Sequence, residues 1–138
     1  MSQKTLVFLK PDTFENKIVG EVIAEFEKKF NIVSMKMVKL TKEDAKQFYA
    51  VHKEKPFYED LATYASRGPV VALLLEGEKD FIPQVRKFMG ATNPPEADKD
   101  TIRGKFGSSL DANVVHGSDS PESAAVEIPF FFPEEVSA

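Results

Sequence analysis

Two stretches of the chain are apolar without alternation, Thr5–Leu9 and Val70–Leu75, the pattern of strands buried on both faces. Pro11 closes the first, and the turn Arg67-Gly68-Pro69 opens the second. Between them the period changes. Ile18, Val19, Val22, Ile23, Phe26 and Phe30 recur at helical spacing, with Glu21, Glu25, Lys28 and Lys29 opposite, which predicts an amphipathic helix over 18–30. Residues 32–40 alternate loosely, setting Val33, Met35 and Met37 against Ser34 and Lys36, and this predicts a strand with one buried face. Thr41, with Asp44 three residues on, is a capping pair for a helix over 42–49. Pro56 ends that segment, and a second short helix follows over 57–65. Residues 80–89 read as a helix with Pro83 in its first turn. Residues 90–113 are rich in Gly, Pro, Asn, Asp and Ser and carry little periodicity. Such a long irregular stretch in a small domain is uncommon and usually functional. Ser120 and Pro121 start a helix reaching about Glu127, and 128–132, interrupted by Pro129, reads as an edge strand.

The order is β-α-β-(αα)-β-α-loop-α-β. It matches an α+β, ferredoxin-like βαββαβ fold: a four-stranded antiparallel sheet with helices packed on it. Strands one and three are central, and two and four lie at the edges. No repeat, linker or low-complexity tract divides the chain, so residues 1–138 read as one domain.

Composition removes several kinds of chemistry. The 138 residues include no cysteine, which excludes a disulfide scaffold, a zinc ribbon and a thiol nucleophile. Only two histidines occur, His52 and His116. With 18 basic and 22 acidic side chains the net charge is −4, so nucleic acid is not expected as the main ligand, whereas small anions remain possible. The first apolar run, stopped by Lys10 and Pro11, is too short for a signal peptide or a membrane span. A cytoplasmic protein with no membrane partner is expected.

The fold does not choose a function. Neither GxGxxG nor GxxxxGK[ST] occurs. Cations and hydroxyls do gather at predicted element ends: Lys10, Arg86, Thr92 and Arg103. Lys10 and Arg86 have an ordinary reading as solvated charges, and Thr92-Asn93-Pro94-Pro95 one as a rigid turn. Arg103 stands beside Gly104, whose missing side chain permits close backbone approach to a ligand. The richest segment is Asn113-Val114-Val115-His116-Gly117-Ser118-Asp119-Ser120. Here His116 is either a structural histidine or an imidazole at a pocket edge. A nucleophilic imidazole must be neutral, with the far nitrogen's proton on an acceptor. Glu127 can supply that acceptor, and Ser118 can help to position it. Nothing comparable surrounds His52.

Asn113-x-x-His116-Gly117-Ser118-Asp119 followed by Glu127 resembles the active-site signature of nucleoside diphosphate kinases. The resemblance covers nearly the whole chain. Lys10-Pro11-Asp12 with Gly20, Tyr49, Pro56-Phe57, Ser66–Ala72, Gly90-x-Thr92-Asn93-Pro94 and Thr101-Ile102-Arg103-Gly104 match in the family's order. It implies ping-pong transfer of the terminal phosphate of a nucleoside triphosphate to a nucleoside diphosphate, with magnesium bridging phosphate oxygens, mostly through water. His116 is then the nucleophile through Nδ1, and Glu127, directly or with Ser118, holds the Nε2 proton. Arg86, Thr92 and Arg103 bind the β- and γ-phosphates. Lys10 and Asn113 bind sugar hydroxyls and phosphate, and Tyr49 lies beside the histidine. Phe57 and Leu110 stack on the base, so all common bases are accepted. His52 matches a position that contacts the α-phosphate in some members. The resemblance also implies a homo-oligomer, tetramer or hexamer, and strand two, with its single buried face, offers a pairing edge.

Three departures from the family pattern are visible. Lys105 stands where many relatives carry an acidic residue, adding charge near Arg103. The segment before Arg86 is one residue longer, and the sequence stops at Ala138 without the extension of longer members. Two other classes compete. Arg103-Gly104-Lys105-Phe106-Gly107 echoes the RNP1 signature of RNA-recognition modules, and ferredoxin-like sheets also serve as regulatory ligand-binding modules.

Overall fold

The computed structural model describes residues 2–91, 96–107 and 113–135. Its strands are β1 (Ser2–Leu9), β2 (Asn31–Lys39), β3 (Pro69–Glu78) and β4 (Val115–Gly117), in the sheet order β2-β3-β1-β4. All three pairings are antiparallel, which is the ferredoxin-like arrangement expected from the sequence. The two unalternating apolar runs occupy the two central strands. Leu6, Val7, Phe8 and Leu9 of β1 and Leu73, Leu74 and Leu75 of β3 are fully buried. Each large side chain of this kind contributes about 1.5–3 kcal/mol on leaving water.

The helices are α1 (Pro11–Glu15), α2 (Val19–Lys29), α3 (Lys42–Phe48), α4 (Tyr58–Ser66), α5 (Ile82–Met89), α6 (Ile102–Phe106) and α7 (Pro121–Phe131). α2 buries Val22 and Phe26 and exposes its lysines. The capping pair forms reciprocally at α3: Thr41 Oγ1 accepts from the Asp44 N–H at 3.0 Å, and Asp44 Oδ2 accepts from the Thr41 N–H at 3.2 Å. Ser120 Oγ caps α7 at the Ser123 N–H, with Pro121 in the first turn.

Five elements differ from the sequence reading. The fourth strand is Val115–Gly117, not 128–132; the helix begun at Ser120 runs through Pro129 to Phe131. Ile128, Phe131 and Phe132 are buried, and Lys36 Nζ donates to the Phe131 carbonyl at 2.6 Å. Packing and that cap hold the last turn despite the missing Pro129 N–H. On β2 the alternation is real but the faces are reversed. Val33, Met35 and Met37 are 47, 56 and 66 % exposed, while Ile32, Ser34, Lys36 and Val38 are partly covered. The short helices α1 and α6 were not legible, since five residues are too few to show a period.

Candidate active site

His116 is the middle residue of β4 and stands opposite Phe8 of β1. The two rings share a sheet face and stack, with centroids 5.1 Å apart and planes at 27°. Phe48 meets the imidazole edge-on at 5.3 Å and Tyr49 at 6.0 Å, so three aromatics restrict its rotation. A Cβ at Gly117 would come to 2.6 Å from Met89 Sδ, so a larger residue there would push the Met89 side chain of α5 aside.

Glu127 comes from the second half of α7. Its Oε1 lies 3.0 Å from His116 Nε2 and accepts from Ser118 Oγ at 2.7 Å. In a neutral imidazole, a carboxylate beside one ring nitrogen fixes the tautomer: the proton takes Nε2 and the lone pair Nδ1. Ser118 is buried, and the His116 and Glu127 side chains are only 23 and 16 % exposed. Hydrogen bonds to a charged group so shielded contribute about 1.5–3 kcal/mol each.

His116 and Glu127 line a cavity of about 500 Å³. The remaining wall comes from distant parts of the chain: Lys10 after β1, Arg86 on α5, Arg103 on α6 and Asn113 before β4. Tyr49, His52 and Phe57, from the segments joining α3 to α4, also line it. Every sequence-predicted site residue within the described residues therefore meets here, except Ser118, which stands behind Glu127 as its second donor. Thr92 and Leu110 lie outside the described residues. Three cations face two carboxylates, Glu127 and Asp119, and Glu127 is committed to His116 and Ser118. Such a cavity favours a polyanion.

The two arginines also build the wall. Arg86 Nη1 donates to the Gly117 carbonyl at 3.0 Å. Arg103, 5 % exposed, donates from Nε to Asn113 O, from Nη1 to Gly90 O and from Nη2 to Val115 O, at 3.3, 2.9 and 2.7 Å. Burial and the neighbouring Arg86 pull its pKa down to about 10, which leaves it cationic at neutral pH. Gly104 serves the chain itself: a Cβ there would overlap the Asp98 carbonyl oxygen. Lys105 does not line the cavity; its Nζ pairs with Glu25 Oε1 on α2 at 2.9 Å. The RNP1 echo falls on helix α6, so its Phe106 is not on the sheet surface that such modules use for stacking. Burial first, then the Glu127 charge, raises the Tyr49 pKa far above its usual value and keeps the phenol neutral.

Sequence reasoning missed Phe8 and Phe48, which hold the imidazole, and Asp119 and Ser123 at the rim. Phe8 was findable had the Val-Val-His-Gly run been taken as a strand, because register then sets it beside His116. Ser123 Oγ, followed by burial and Ser120, governs the Asp119 carboxyl, whose pKa is lowered overall with help from Arg86.

Comparison with known proteins agrees with this geometry. The family model described as nucleoside diphosphate kinase matches residues 3–136. The chain is 51 % identical over 131 residues to the nucleoside diphosphate kinase of Persephonella marina, covering 94 % of this chain and 93 % of that one. It is 53 % identical to that of Geotalea uraniireducens over 131 residues, covering 94 and 95 %. Among solved structures, the Aquifex aeolicus nucleoside diphosphate kinase superposes with a TM-score of 0.89 at 42 % identity, covering 94 % of each chain. That of Encephalitozoon cuniculi gives 0.89 at 31 % identity, covering 99 % of this chain and 92 % of that one. Likeness of this extent in sequence and backbone, around a cationic cavity with an oriented imidazole, places the chain in the nucleoside diphosphate kinase family, phosphotransferases that pass a γ-phosphate from a nucleoside triphosphate to a nucleoside diphosphate by a ping-pong route.

Proposed function

We propose that His116 is the residue on which the phosphoryl group rests between the two half-reactions. The observation that carries this is the imidazole of His116, held with Nε2 3.0 Å from Glu127 Oε1 in the wall of a cationic cavity, which in the neutral ring leaves the lone pair on Nδ1. Nδ1 attacks the γ-phosphorus, the bond to the bridging oxygen breaks, and the diphosphate leaves. The charge gained by the ring is offset by Glu127, with Ser118 holding the carboxylate in place. The second nucleoside diphosphate then takes the group by the reverse step. A loose transition state is served by positioning and charge, which Arg86 and Arg103, with Thr92, supply at the β- and γ-phosphates. Lys10 and Asn113 hold sugar hydroxyls and phosphate, and His52 reaches the α-phosphate. Tyr49 packs against the imidazole. Phe57, 46 % exposed at the rim, stacks on the base with Leu110, and stacking on a ring face accepts every base.

A cavity of about 500 Å³ is a single-ligand pocket, which suits a route with one nucleotide bound at a time. The donor set fits a magnesium ion carried by the nucleotide. Among the described residues no cluster of three His, Asp or Glu side chains could hold a metal alone, and Asp119 is the carboxylate at the rim not tied to His116. Asp119 would meet such an ion through water, and the ion would neutralise phosphate charge. The activity occupies one domain over residues 1–138, in a cytoplasmic setting. The apolar, exposed stripe Val33, Met35 and Met37 on an edge strand supports a homo-oligomer, tetramer or hexamer, built from dimers. Among the described residues no helix is long and apolar enough to cross a membrane.

The test is steady-state transfer from ATP to a series of nucleoside diphosphates, with magnesium. Varying both substrates should give parallel double-reciprocal lines, and kcat/KM should differ little between bases. Intersecting lines would remove the phosphoenzyme reading. In the same assay Glu127→Gln is expected to lower kcat by roughly 10²- to 10⁴-fold, the range of general acid–base contributions. The variant should still accept label, because Nδ1 remains in place. Loss of folding would instead mark Glu127 as structural.

A further inference from the structure

Two residues before His116 the chain takes a conformation that valine seldom adopts. Val114 has φ +75°, and the Val115 N–H donates to the Asn113 carbonyl at 2.8 Å. This closes a three-residue turn of the strained, rare kind. For a β-branched side chain such a φ is a true outlier, and Val114 is fully buried. The turn is held from both sides by the loop that follows β1. The Lys10 N–H donates to the Val114 carbonyl at 2.8 Å, and Asp12 Oδ2 accepts the Val114 N–H at 3.2 Å. Asp12 is 2 % exposed and sits in α1, whose start is pinned to Lys10 by the Thr13 N–H and hydroxyl. Burial first, then Asp12, raises the pKa of the Tyr64 phenol, which stays neutral. Asp12 does not line the cavity, and nothing in the transfer chemistry uses it.

We infer that Asp12 is a positioning residue for His116: its carboxylate holds the strained turn at Val114 and so aims Nδ1 at the phosphorus. The inference rests on His116 being the nucleophile. Without the acceptor, a buried N–H is left unpaired and Val114 is free to return to negative φ, which rotates the peptide leading into β4. An attacking atom displaced by about 1 Å can cost 10²-fold in rate.

The measurement is the single-turnover rate of acid-labile labelling from γ-labelled ATP, beside ATP affinity and thermal unfolding. Asp12→Ala should label roughly 10- to 100-fold more slowly with ATP affinity changed less than about threefold. Asp12→Asn, which keeps an oxygen acceptor, should stay within about threefold of the native rate. Adding Val114→Gly to Asp12→Ala should restore most of the loss, because glycine adopts positive φ without strain and needs no clamp. Native labelling in Asp12→Ala would overturn the inference, as would a double variant no faster than the single one. Should Asp12→Ala fail to fold, Asp12→Asn and Val114→Gly decide. Both near the native rate support the inference, and slow labelling in either overturns it. His116→Ala, run in parallel, separates a failure of the nucleophile assignment, since label surviving there would point to another acceptor.

Discussion

Replacing His116 with alanine should lower NTP-to-NDP transfer by roughly four to six orders of magnitude, as loss of a nucleophile does elsewhere. That corresponds to about 5–8 kcal/mol of barrier. The size follows from the cavity. With one nucleotide bound in it at a time, as the proposed ping-pong route has it, removing the acceptor removes the route. No other imidazole can take its place. His52 lines the same cavity, but its ring packs near Tyr49 and Phe57, and among the described residues it has no carboxylate partner to fix a tautomer. The check is incubation with γ-labelled ATP and magnesium, then acid or alkali. The native protein should carry label that is acid-labile and alkali-stable, His116→Ala none, and His52→Ala label still. Label on His116→Ala would end the assignment. Circular dichroism should show the variant folded, because the imidazole is held mainly by ring contacts and one hydrogen bond.

Much of this was legible in the sequence, for a physical reason. Strands buried on both faces announce themselves as unbroken apolar runs, so β1 and β3 could be placed at the centre of the sheet from their residues alone. Caps are equally local, and Thr41 with Asp44 could be read three residues apart. The polar site was visible because the chemistry needs particular side chains, and the fold brings those from Lys10 to Glu127 to one cavity. What failed was decided at a distance. Pro129 stays helical because Lys36, on a different element, caps the end of α7. Val33, Met35 and Met37 face outward because the covering helices reach the other face of β2. Lys105 turns to Glu25, a partner far away in sequence. The second role of Arg103 was likewise hidden, since its acceptors are backbone carbonyls that no motif records.

That second role makes Arg103→Met the most damaging change away from His116. The guanidinium joins three carbonyls, on Gly90, Asn113 and Val115, so it ties the end of α5 to both sides of the strained turn before β4. Methionine fills similar space with no donor, so the Gly90 and Val115 oxygens lose their guanidinium partner and Asn113 O keeps only the Val115 N–H. Hydrogen bonds from a charged group contribute about 1.5–3 kcal/mol each, and water admitted by the cavity recovers part of the loss. A net destabilisation of about 3–5 kcal/mol is expected, read as a midpoint lower by roughly 10–20 °C in thermal unfolding. Transfer should fall by at least about 10³-fold below the folded fraction, because a cation of the cavity wall, proposed to bind phosphate, goes with the brace. Arg103→Lys separates the two effects. It keeps the positive charge yet cannot reach three carbonyls at once, so it should recover part of the phosphate affinity and little of the stability. A lysine variant as stable as the native protein would show that charge alone, without the fork of donors, holds the wall. A methionine variant with an unchanged midpoint would show that these carbonyls find water instead, and Arg103 would then act on phosphate only.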